Sequence, residues 1–350
     1  MERQSKPKPP RNPPRLSRFL RLPKPHSPAK RCQVASSPLI LLERSDAVQK
    51  LAAIFLLALL ALSPAVAQSN DSATLAAIAN QAISQIPAKK LFGAQKTPAN
   101  MAARSFGTYA RGCLAGATAL PVDGPTWQVM RLSRNRNWGH PKLIALLERL
   151  AVDAREKDGW PGLMIGDISQ PRGGPMPSGH ASHQIGLDAD IWLTPMPNHT
   201  LTREERETIS PKPVVKDRKT MDYSVWTEAH ARLIKRAASY PEVTRIFVHP
   251  PIKKELCRWA TGDRSWLAKV RPYYGHDYHF HVRIKCQNAG CKDQWTPNPK
   301  DGTGCGEELA YWYSDAPWKP AKPNAPPPKP AKPLTITSLP AECRSVVTVE

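Results

Sequence analysis

The stretch Met176–Leu193, MPSGHASHQIGLDADIWL, sets His180, His183, Asp188 and Asp190 within eleven residues and ends in a run of alternating character. From Leu187 onward the aliphatic Leu187, Ala189 and Ile191 take one parity, and Asp188, Asp190 and Trp192 take the other. An extended chain therefore puts both aspartates on one face and the aliphatics on the opposite one. Imidazoles and carboxylates at this density are costly to bury unless a cation or good hydrogen bonds offset their lost hydration. The aliphatic face predicts a core and the polar face predicts a site.

A second run behaves the same way. In HFHVRIKC, from His279 to Cys286, Phe280, Val282 and Ile284 point one way while His279, His281, Arg283 and Lys285 point the other. If the two runs are neighbours in one sheet, their polar faces unite His183 or His180, one aspartate and one or both strand histidines. Imidazole nitrogen with carboxylate oxygen, and no thiolate, suits a catalytic Zn2+ that keeps three protein ligands and one open position. Spacing alone does not choose between Asp188 and Asp190, and a lone His-x-His also occurs as an exposed pair. His276, just before the second run in YYGHDYHFH, is a further candidate. His140 and His230 read as structural residues of helices and His199 as a solvated loop residue, and His249 is given no role.

Around these runs the pattern predicts an α+β domain. Pro141–Lys157 places Leu143, Ile144, Leu147, Leu150 and Ala151 at helical spacing, and Trp226–Tyr240 does so with Trp226, Ala229, Leu233, Ile234 and Ala237. Four strand-like runs, Leu163–Ile168, Leu187–Leu193, Val243–Val248 and His279–Lys285, are bounded by Gly, Pro or polar clusters. The expectation is a small antiparallel sheet of about four strands carrying the zinc site, flanked by helices and stapled by disulfides.

The ends of the chain set the compartment. LAAIFLLALLAL, residues 51–62, is too short to span a bilayer, which needs about 20 apolar residues. Followed by Ala65, Val66 and Ala67, it reads as the core of a secretory signal over 48–67 that is cleaved before Gln68, leaving no membrane span. Residues 1–47, rich in Pro, Lys and Arg, read as a start-site artefact or a disordered basic arm. Beyond residue 67 there are 38 basic and 26 acidic side chains, an excess of 12 that suits an anionic partner such as a cell-wall polymer, a lipid headgroup or nucleic acid. No recognition helix or stacking motif points to nucleic acid. With Cys32 in the leader, the remaining Cys113, Cys257, Cys286, Cys291, Cys305 and Cys343 are an even six, read as three disulfides of an oxidising compartment. A four-cysteine zinc site is the alternative, but no C-x2-C spacing supports it. Residues 68–103 form a variable N-terminal region and 104–316 the catalytic domain. Residues 317–333 read as a polyproline spacer, followed by a 334–350 tail that Cys343 can tie back.

SGHASHQIGLDADI with GHDYHFHVRIKC resembles the penicillin-insensitive murein endopeptidases, metallopeptidases that share H-x6-D and H-x-H with lysostaphin-type and D-Ala-D-Ala-type enzymes. The likeness extends from about Arg104 to Cys343 and includes LPVDGPTWQVMR, RIFVHPPIKKELC and WLAKVRP. It implies Zn2+ ligands at His183, Asp190 and His281, with His279 and His276 acting on the water or the oxyanion and His180 in the active centre. A second metal in relatives involves the equivalents of His180 and Asp217 and a histidine three residues later, where this chain has Thr220. The likeness also implies the pairings Cys113–Cys343, Cys257–Cys305 and Cys286–Cys291. The activity it implies is periplasmic hydrolysis of the D-alanyl to meso-diaminopimelyl cross-link of peptidoglycan, with no serine to be acylated by a β-lactam. A D-Ala carboxypeptidase and a non-catalytic, zinc-stabilised wall-binding module are the rival readings.

Overall fold

The computed structural model describes residues 74, 77, 78, 81–319 and 332–349. The signal and leader readings, and most of the proline-rich spacer, lie outside these residues.

In chain order the elements are α1 (Ala88–Ala94), β1 (Arg104–Thr108), β2 (Arg111–Ala115), β3 (Thr118–Ala119), β4 (Asp123–Gly124), β5 (Trp127–Val129), β6 (Trp138–Gly139), α2 (Pro141–Asp158), β7 (Leu163–Ile165) and β8 (Asp188–Trp192). There follow α3 (Arg203–Thr208), α4 (Glu228–Ser239), β9 (Val243–Val248), α5 (Pro250–Trp259), β10 (Val270–Pro272), β11 (His279–Ile284), α6 (Glu307–Tyr313) and α7 (Glu342–Thr348). The chain is α+β, but its main sheet is larger than the expected four antiparallel strands. Among the described residues it runs β10-β9-β11-β8-β7-β5-β4, with β9–β10 and β5–β7 parallel. Each parallel pair is separated in sequence by a helix, α2 between β5 and β7 and α5 between β9 and β10, because parallel neighbours need a long crossover. The extra strands are two or three residues long, too short to carry an alternation that sequence could reveal.

The helix α2 starts where expected. His140 Nδ1 accepts the Lys142 N–H at 3.2 Å, Pro141 fills the first turn, and Gly159 at φ 69° ends the helix. Its buried Leu143, Ile144, Leu147, Leu150 and Ala151 share one core with Leu233, Ile234 and Ala237 of α4 and with Ala189, Ile191, Phe280, Val282 and Ile284 of β8 and β11. One face of the β8–β11 pair is thus sealed by apolar packing, each fully buried large side chain contributing about 1.5–3 kcal/mol.

A second core gathers Phe92, Phe106, Cys113, Ile336, Leu339, Cys343, Val346 and Val347. Cys113 is bonded to Cys343 across 230 residues, and Arg172 Nη1 donates to the Val346 and Val347 carbonyls at 3.0 and 3.1 Å. The C-terminal tail is therefore held against β2. The other disulfides are Cys257–Cys305 and Cys286–Cys291.

Candidate metal centre

β8 and β11 pair antiparallel with His281 opposite Asp190, Arg283 opposite Asp188 and His279 opposite Trp192. Because cross-strand partners share a face, this register gathers Asp188, Asp190, His279, His281 and Arg283 on the side away from the core. All five are buried.

His183 arrives from the loop before β8 and is fully buried. Its backbone takes φ 66°, a left-handed conformation that costs a non-glycine residue about 1 kcal/mol or more. The conformation is held by its N–H, which donates to Asp188 Oδ2 at 3.0 Å. Gly186, at φ 67°, lets the loop turn into β8, since a Cβ there would meet Leu114 Cδ2 at 2.3 Å.

The imidazole tautomers follow from the outer partners. His183 Nδ1 lies 2.7 Å from the Ile168 carbonyl, which only accepts, so Nδ1 carries the proton. His281 Nε2 lies 3.0 Å from Asp188 Oδ1, and although it makes no hydrogen bond of good geometry among the described residues, the carboxylate charge favours the proton on that side. The inner atoms, His183 Nε2 and His281 Nδ1, then present lone pairs to each other at 3.2 Å and to Asp190 Oδ1 at 3.4 Å each. Asp190 Oδ1 is buried and has no hydrogen-bond partner among the described residues. Three acceptors facing one another without a proton repel, and a cation between them removes the repulsion. Tetrahedral zinc with nitrogen and oxygen ligands at about 2.0–2.1 Å sets its donors about 3.3–3.4 Å apart, the size of this triangle. The residues fit the ion.

A second grouping shares two of these side chains: His180, His183 and Asp190 offer ligand atoms within 4.8 Å of one another. Yet His180 is partly engaged elsewhere, its Nε2 lying 2.9 Å from Asp167 Oδ2, while its Nδ1 stands 3.5 Å from Asp190 Oδ2. The triangle that includes His281 is the tighter one.

Asp188 sits behind the triangle, where Arg283 Nε and Nη2 donate to it at 2.7 and 3.2 Å. Burial alone would raise its carboxyl, but Arg283 and His281 hold it far below the usual range. Burial likewise opposes charge on Asp190 and His281; the surrounding imidazoles pull Asp190 well down, and the two carboxylates raise His281.

His279 Nε2 stands 3.7 Å from Asp190 Oδ1, and its Nδ1 is buried without a hydrogen bond among the described residues. Its ring lies 4.9 Å from that of His276, whose Nδ1 donates to the Tyr274 carbonyl at 2.5 Å. Burial is the main cause that lowers both imidazoles, His276 to about 3. Asp217, by contrast, lies in an exposed turn, accepting the Lys219 N–H at 2.7 Å, and does not join the cluster.

Two cavities border the cluster. A cleft of about 520 Å3 is lined by His180, His276 and His281 together with Tyr109, Phe247 and Tyr273, and a smaller one of about 230 Å3 by His180, Asp190 and His279. Sequence reasoning missed Asp167, which His180, Arg134 and Arg136 surround, and the backing roles of Asp188 and Arg283. The available signal for Asp167 was an acid inside the otherwise apolar run Leu163–Ile168.

A family model described as penicillin-insensitive murein endopeptidase matches residues 105–348. The chain is 46% identical over 236 residues to the protein of that name from Haemophilus influenzae, covering 65% of this chain and 79% of the relative. It is 41% identical over 255 residues to that of Klebsiella pneumoniae subsp. pneumoniae, 71% and 88% of the two chains, and 41% over 249 residues to that of Yersinia enterocolitica, 70% and 85%.

Proposed function

The chain belongs to the penicillin-insensitive murein endopeptidase family, and from that premise we propose that it is a zinc-dependent endopeptidase of the periplasm, cutting the D-alanyl to meso-diaminopimelyl cross-link of peptidoglycan. The observation that carries the zinc assignment is the triangle in which His183 Nε2 and His281 Nδ1 converge on the orphaned Asp190 Oδ1. His183, Asp190 and His281 would hold one Zn2+ per chain. When bound, the ion supplies an acidified water and polarises the scissile carbonyl.

The chain's own residues do the rest. His279, beside Asp190, takes the proton of the attacking water and returns it to the departing amine as the C–N bond breaks. His276, its Nδ1–H committed to the Tyr274 carbonyl, keeps Nε2 as an acceptor and steadies the His279 side of the site. The larger cleft takes the stem peptide on the carbonyl side of the scissile bond. The basic excess favours an anionic wall polymer, and the three disulfides suit an oxidising compartment. Export through residues 48–67, with the mature chain opening at Gln68, belongs to the same proposal. Among the described residues no helix is long and apolar enough to cross a membrane.

Mass spectrometry of purified cross-linked muropeptides tests the reading. Dimers should be converted to monomers, a chelator should abolish the conversion, Zn2+ should restore it, and penicillin should leave it unchanged. Conversion that survives the chelator, or a covalent penicillin adduct that stops it, refutes the proposal.

A further inference from the structure

The smaller cavity has a charge that the cleavage chemistry does not use. It is lined by Arg131, Arg134, Asp167, Asp190, Tyr278 and His279 among others. Arg131 is spent on structure: its guanidinium donates to the Arg206, Glu207 and Ile209 carbonyls and lies over the Trp192 ring. Arg134 is different. Its side chain is 46% exposed, and its single side-chain bond among the described residues runs from Nη1 to Asp167 Oδ2 at 3.1 Å. Asp167 is already matched by the buried Arg136 at 2.7 Å and by His180. Most of the Arg134 fork is therefore unpaired among the described residues, at a cavity that Arg134 and His279 both line.

We propose that Arg134 is a specificity residue that binds the free α-carboxylate of the residue on the amine side of the scissile amide. The inference rests on the endopeptidase reading and deepens it. His279, as the group that returns a proton to the departing amine, places the amine side of the substrate in this smaller cavity. In a D-alanyl to diaminopimelyl cross-link the carbon that bears that amine also bears a free carboxylate, next to the bond being cut. A guanidinium fork recognises a carboxylate through paired charge-assisted hydrogen bonds, which an amide cannot replace.

Two synthetic cross-linked peptides that differ only in carrying this carboxylate or its carboxamide decide the matter. Wild-type enzyme should favour the carboxylate by about 10- to 100-fold in kcat/KM, the scale of a hydrogen-bonded charge pair. Arg134→Gln should lose that factor on the carboxylate substrate alone, keep its zinc, and so lose the preference, while Arg134→Lys should restore part of it. Equal cleavage of the two peptides by wild-type enzyme, or an equal loss on both in Arg134→Gln, overturns the proposal and leaves the endopeptidase reading standing. If neither peptide is cut, that reading fails instead, and calorimetric binding of the free diaminopimelyl fragment decides for Arg134. Tighter binding to wild type than to Arg134→Gln, lost with the carboxamide fragment, supports the site, and equal binding overturns it.

Discussion

α4 and the polar face of β8 and β11 both bury imidazoles, and they solve the problem differently. In α4, His230 donates from Nε2 to the Leu193 carbonyl at 3.0 Å and accepts the Thr227 N–H on Nδ1 at 3.0 Å, between the rings of Trp160 and Trp226. Both nitrogens are satisfied by backbone. On the polar face of β8 and β11, His183 gives its outer nitrogen to a carbonyl and His281 turns its outer nitrogen toward the Asp188 carboxylate, while their inner nitrogens converge on a carboxylate oxygen that has no hydrogen-bond partner among the described residues. A buried histidine with two backbone partners is structural. One with an outer acceptor and an inner lone pair aimed at other lone pairs is built for a cation.

The largest expected effect tests whether the inner atoms are ligands. His281→Ala removes one corner of the triangle and should lose both bound zinc and cross-link cleavage, since metal binding is coupled to the full donor set. His279→Ala should keep about one zinc per chain while turnover falls by roughly 10²- to 10⁴-fold, the scale of lost acid–base catalysis. Metal analysis on both variants and on His180→Ala separates the two overlapping triads. If His180→Ala loses zinc while His281→Ala retains it, the ligand set is His180, His183 and Asp190.

The structural histidine predicts a pH effect of the opposite kind. Burial, only partly opposed by its backbone hydrogen bonds, lowers His230 to about 4 from 6.5. Between these values the unfolded chain binds a proton that the folded chain refuses, so stability rises with pH through that window. The contribution is complete above about 6.5 and is lost as pH falls toward 4, about 3 kcal/mol in all. Denaturant titrations at pH 7.5 and 4.5 should show a smaller difference for His230→Gln than for the wild-type chain. An unchanged difference would mean that this ring is not linked to folding.

Much of this contrast was legible in the sequence, for reasons that also mark where legibility ends. The alternation in LDADIWL and HFHVRIK predicted which side chains share a face, and the register of His281 with Asp190 joined the two faces as expected. α2 was visible because Pro141 opens a full helical stripe. β5 and β10 were not, because three residues carry no period, and with them went the parallel pairings and the true width of the sheet. Asp167 was hidden because its partners, Arg134, Arg136 and His180, meet it through loop geometry that no spacing encodes. The choice between Asp188 and Asp190 was open for the same reason: strand parity makes them equivalent, and only the ring nitrogens they face tell them apart.

That last difference yields the smallest and sharpest test. Asp188 lines neither cavity, yet it accepts the His183 N–H, lies against His281 Nε2 and receives Arg283. Asp188→Asn keeps the shape but removes the charge that fixes the His281 tautomer and makes its ring a better donor. Zinc affinity should fall by about 10- to 100-fold, the usual scale for losing a carboxylate behind a metal-bound histidine. Ile191→Val, on the opposite face of the same strand, should cost about 0.5–1.5 kcal/mol of stability and leave zinc affinity unchanged. Competition titration with a chromophoric chelator reads both variants. If Asp188→Asn binds zinc as tightly as wild type, the outer partners only position the rings. The distinction between His230 and the site histidines then lies wholly in the inner atoms around Asp190.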